Sequence, residues 1–65
     1  MTKKTMILNM IEYLQNQSRY KNLDIDYIIK KAMTKNKNDL QKTYNLYLMG
    51  YYRNFESKLY NDIIE

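Results

Sequence analysis

An all-α fold is predicted for this chain from three observations. Its 65 residues hold no proline and one glycine, Gly50, so it lacks the punctuation that multi-strand folds need at their turns. Apolar residues recur at spacings of three and four rather than two. The polar stretches between the apolar stripes supply helix caps. The expected architecture is one helical domain over residues 1–65, a small three-helix arrangement with two short amphipathic helices packed on a long C-terminal helix.

The first helix is expected from about Lys3 to Gln17. Met6, Ile7, Met10, Ile11 and Leu14 fall on one stripe, while Lys3, Asn9, Glu12 and Gln15 lie elsewhere on the wheel. Thr2 or Thr5 can cap its start. Residues 17–22 form the first connection, with Tyr20 laid on the core as a lid. The second helix is expected from Asp24 to Met33, with Ile25, Ile28, Ile29, Ala32 and Met33 on one side. Asp24 and Asp26 at its start and Lys30 and Lys31 near its end follow the charge order that the helix dipole favours.

Residues 34–38 form the second connection and end in a capping box of Asn38 and Gln41. From Asp39 to Glu65 the pattern predicts one continuous helix, on the order of 37 Å long at about 1.5 Å per residue. At 100° steps it shows two apolar faces. Leu40, Tyr44, Tyr47, Leu48, Tyr51, Phe55 and Leu59 make an aromatic stripe that would meet the first two helices. Leu46, Met49, Tyr60 and Ile64 gather opposite with Arg53, and Tyr52 and Ile63 lie at the edges. A helix apolar all round is normally buried on both sides. Gly50, on the outer side, marks a kink, a close backbone approach or a tolerated glycine.

Composition bounds the function classes. Chains this short are marginal unless stapled or associated, and cysteine and histidine are both absent, which excludes disulfides and Cys/His zinc sites. Lys3 and Lys4 precede an apolar patch, but Asn9 interrupts it and Glu12 follows, so no secretory leader is expected. Nothing approaches the roughly 20 apolar residues of a membrane span. A cytoplasmic, non-membrane protein is expected. Asn, Lys, Ile and Tyr make up 32 of 65 residues. All four have codons with A or T in the first two positions, which suits a phage or plasmid gene from an AT-rich genome.

Catalysis has no visible carrier. Ser18 and Ser57 have no histidine partner, and the Asp24/Asp26 pair lacks the further oxygen ligands and glycine of a calcium loop. No enzyme activity, metal, cofactor or small-molecule substrate is expected. Charge is uneven: residues 1–38 carry eight basic and three acidic side chains, residues 39–65 three and four. Lys30, Lys31, Lys35 and Lys37, extended by Lys42, make a basic cluster suited to phosphates or an acidic partner. Asn38, Gln41, Lys42 and Asn45 are the one plausible base-reading surface.

Two functions follow as expectations. The first is a small regulatory protein that binds another protein, as inhibitor or modulator, and self-associates to a homodimer through Leu46, Met49, Tyr52, Arg53, Tyr60 and Ile64, a set with the tyrosine and arginine character of interfaces. The alternative is a basic nucleic-acid-binding regulator that uses Lys30, Lys31, Lys35, Lys37 and Lys42.

Overall fold

The computed structural model describes all 65 residues, Met1–Glu65. It is all-helical, as expected, but with four α-helices rather than three: α1 (Lys3–Gln15), α2 (Ile25–Met33), α3 (Lys37–Leu48) and α4 (Glu56–Ile64), with a short 3₁₀ turn over Ser18–Tyr20. No helix is long and apolar enough to cross a membrane.

The first two helices form where their patterns place them. Thr2 caps α1, its hydroxyl oxygen accepting from the Thr5 amide at 3.2 Å, and Met6, Ile7, Met10, Ile11 and Leu14 are all buried. Asp24 caps α2 by accepting from the Tyr27 amide at 3.1 Å. Such caps satisfy amide donors that have no partner within the helix, each contributing about 1 kcal/mol. In α2, Ile28 and Ala32 reach the core, Ile25 and Ile29 are half-buried, and Met33 stays exposed.

The third helix starts earlier than expected. Asn36, not Asn38, is its cap: Asn36 Oδ1 accepts from the Asp39 amide at 2.8 Å while Asn36 Nδ2 donates to Asp39 Oδ2 at 3.1 Å. This reciprocal pair outcompetes the Asn38/Gln41 alternative, and α3 gains two residues, about half a turn, at its N-terminus.

The long C-terminal helix does not exist, and Gly50 is the reason. Its φ is +81°, a left-handed conformation that glycine adopts without the steric cost a Cβ imposes. The Gly50 amide donates to the Tyr47 carbonyl at 3.1 Å and the Tyr51 amide to the Leu46 carbonyl at 3.0 Å. Together these are the Schellman pairing that ends a helix. Residues 49–55 then turn, with the Arg53 amide on Gly50 and the Phe55 amide on Tyr52, and α4 folds back onto α2 and α3.

The break redistributes both faces drawn on the continuous wheel. Leu40, Tyr44 and Leu59 are in the core and Tyr47 is half-buried, but Leu48, Tyr51 and Phe55 are exposed. Tyr52, expected on an outer interface, is 1% exposed at the centre of the core. Leu46, Tyr60 and Ile64 pack half-buried against that core, which leaves Met49 and Arg53 as the exposed members of the outer set. No second apolar face remains on a single helix, because residues before and after Gly50 belong to helices of different direction.

The core unites α1, α2, α3 and α4 around Tyr52. Its phenol donates to Asp62 Oδ2 at 2.6 Å, and Lys58 Nζ stands 3.6 Å from the same oxygen. Burial, then the bond to the Asp62 carboxylate, raises the Tyr52 pKa far above the ordinary tyrosine value. Tyr47 is raised too, first by burial and then by Tyr44. A folded pKa above the unfolded value of about 10 means that stability is intact below pH ~10 and is lost as pH rises past it. Thermal melts followed by circular dichroism should hold level through neutral pH and fall above about pH 10. Tyr52→Phe should flatten that fall. Equal alkaline slopes in the two proteins would show that Tyr52 does not carry it.

Candidate functional site

The basic cluster is gathered around the α2–α3 turn. Residues Thr34–Asn36 alone separate the two helices. The turn is held from within, by the Thr34 hydroxyl donating to the Lys31 carbonyl at 2.6 Å and the Lys35 amide to the Ala32 carbonyl at 3.1 Å. It is held from outside by Lys3 of α1, whose ammonium donates to the Met33 carbonyl at 2.7 Å and the Lys35 carbonyl at 2.6 Å. A cation at a helix C-terminus satisfies carbonyls without partners and complements the dipole. The turn is thereby anchored to the start of α1.

Beneath the turn, α2 and α3 each pack on α1 and α4 more than on each other. Two helices joined by so short a turn without lying side by side diverge from it, and both rest on α1.

The outward side of α3 is chemically uniform. Opposite the buried Leu40, Thr43 and Tyr44, the 100° steps place Asn38, Gln41, Lys42 and Asn45, with Met49 at the end. Asn38, Lys42 and Asn45 are exposed and Gln41 half-buried. Gln41 Nε2 donates to Asn45 Oδ1 at 2.9 Å, which orders two amides along the helix. No carboxylate lies on this stripe. Asp39 sits on its flank and is engaged by Asn36.

Around the stripe, Lys30, Lys31, Lys37 and Lys42 are exposed and Lys35 is half-buried. The single ion pair of the structure is Lys58 with Asp62, so no carboxylate neutralises any of the five. Lys31 Nζ lies 5.8 Å from the Tyr27 ring centroid. Lys3 and Lys4 add to the same end of the molecule through the anchoring of the turn. The five lysines singled out in the sequence lie on the last turn of α2, the turn and the first half of α3; of the other set, Tyr52 is in the core, Leu46, Tyr60 and Ile64 are half-buried, and Met49 and Arg53 are exposed.

Comparison with protein-family models, characterised proteins and solved structures gives no match. The placement of side chains is therefore the ground for a functional reading.

The surface also contains Leu48, Tyr51 and Phe55, which the continuous wheel set on the buried side, beside Met49, which it set outward. Leu48, Met49, Tyr51 and Phe55 are 63, 78, 46 and 57% exposed at the α3–α4 corner. The signal that could have found them is Gly50, whose place just past a helix end is the commonest one for glycine. Next to the corner, Tyr13 and Tyr47 meet edge-to-face at 5.4 Å between centroids. Together with Leu48, Gly50, Tyr52 and Arg53 they line a hollow of about 260 Å³.

Proposed function

We propose that the protein binds double-stranded DNA through the α2–turn–α3 unit, as a small regulator. The observation that carries this reading is the solvent side of α3, where amides and a lysine stand in line without an acid, directly after the lysine-bearing turn. Asn and Gln pair with adenine through two hydrogen bonds in the major groove, and lysine approaches guanine acceptors. Asn38, Gln41, Lys42 and Asn45 take that role. Lys30, Lys31, Lys35 and Lys37 neutralise flanking phosphates, and release of the DNA's counterions supplies much of the affinity.

The protein-partner reading rested on one long helix that was apolar all round. That helix is replaced by two helices that each bury one side, and Tyr52 of its expected interface is in the core. The basic cluster, by contrast, is gathered and unneutralised.

Fluorescence anisotropy with labelled duplexes of varied sequence tests the proposal. Binding should weaken steeply between low and moderate salt. A variant with Asn38, Gln41 and Asn45 all changed to alanine should lose discrimination between preferred and random duplex, at about 1–3 kcal/mol per bidentate contact. Its salt dependence should stay unchanged. No binding by the folded protein at low salt and micromolar concentration would remove the proposal.

A further inference from the structure

We infer that the α3–α4 corner is a homodimer interface in which Met49 of each copy enters the hollow beside Gly50 of the other. Four large apolar side chains, Leu48, Met49, Tyr51 and Phe55, are exposed within eight residues of chain. At roughly 150–250 Å² for each large side chain, the exposed fractions come to on the order of 500 Å². If all of it is covered, two copies meeting there bury about 1,000 Å², the least that a specific interface should clear, before any rim is added.

Shape and charge both favour a second copy over another partner. Met49, 78% exposed at the end of α3, stands in sequence between Leu48 and Gly50, two of the residues that, with Tyr13, Tyr47, Tyr52 and Arg53, line the hollow of about 260 Å³. A two-fold contact matches the knob of each copy with the hollow of the other. Arg53 lies folded across Gly50, its Nη2 3.2 Å from where a Cβ on Gly50 would stand. Glu56 begins α4 three residues later and lines a neighbouring hollow with Arg19, and neither Arg53 nor Glu56 forms an ion pair within its own chain. Across a two-fold axis, Arg53 of one copy faces Glu56 of the other, twice. The corner is self-complementary in charge as well as apolar.

The inference does not depend on DNA binding, and its test omits DNA. In sedimentation equilibrium the protein should behave as a two-chain species at micromolar concentration. Met49→Glu should weaken the dimer roughly 30-fold or more, the loss expected of a central interface side chain, with the helical circular dichroism unchanged. Should that variant lose helicity, the charged pair serves instead: Arg53→Glu and Glu56→Arg should each weaken the dimer, and the two combined should restore it. A protein that stays monomeric up to millimolar concentration overturns the inference. So does a dimer that withstands Met49→Glu with its fold intact, or an exchange of Arg53 and Glu56 that restores nothing.

Discussion

Tyr52→Ala is expected to leave the chain largely unfolded at 25 °C. Tyr52 is the largest of the fully buried side chains, set where the turn after Gly50 enters the core. Truncating a buried aromatic residue to alanine costs about 3–5 kcal/mol through lost burial and the remaining cavity. A single core in a chain this short rarely supplies more than about 3–5 kcal/mol in all. The two quantities are equal within their spread, so the folded population collapses. Tyr52→Phe keeps the ring and loses only the bond to Asp62, about 1.5 kcal/mol for a charged acceptor that water and Lys58 can still reach. At roughly 4–8 °C per kcal/mol for a domain of this size, its melting temperature falls by about 10 °C. Urea titration followed by circular dichroism separates the two variants. A Tyr52→Ala protein with wild-type helicity and melting temperature would return Tyr52 to the surface role that a continuous helical wheel assigns it.

That contrast locates what was legible in the sequence. The α1 stripe and the α2 stripe run without glycine, and the Thr2 and Asp24 caps stand where their residue types place them. A helical wheel is valid only while the helix continues. Carried through Gly50, it set Tyr51 and Phe55 on the buried side and Tyr52 near the outer one, and the structure reverses both; Leu48, the last residue of α3, is exposed as well. The two-faced pattern was itself evidence of a break. In so small a chain, two helices that each bury one side satisfy the same residues with no partner, whereas one all-round helix needs another molecule.

The candidate site was more legible than the fold around it. Asn38, Gln41, Lys42 and Asn45 follow the three-and-four spacing within an unbroken helix, so they share a side wherever that helix ends. The lysines lie close in sequence, on either side of a three-residue turn. What no local pattern contains is the bond from Lys3 to carbonyls some thirty residues away. That contact exists only because α1 packs beside α2, and it turns a loop of lysines into a supported surface.

Changing Lys30, Lys31, Lys35 and Lys37 together to glutamine is expected to remove most of the salt dependence of DNA binding. Each phosphate contact contributes about 0.9 to the slope of log affinity against log salt, so four lost contacts make the slope shallower by about 3.6. Affinity at low salt falls with it, because the counterions that those lysines displaced are no longer released. Stability falls modestly: these side chains form no ion pairs within the chain, but Lys30 and Lys31 lose a place at the α2 C-terminus worth about 0.3–1 kcal/mol each, and Lys31 its contact with the Tyr27 ring. Removing mutual repulsion at one end offsets part of that loss. Lys58→Gln, at the residue paired with Asp62 on α4, is the matched control and should leave the slope unaltered. A quadruple variant that binds duplex with the wild-type slope would mean that these lysines touch no phosphate and that water alone solvates them. The base-facing substitutions act on a different quantity, the ratio of affinities between sequences at fixed salt. Slope and ratio therefore report separately on the two halves of the α2–turn–α3 surface.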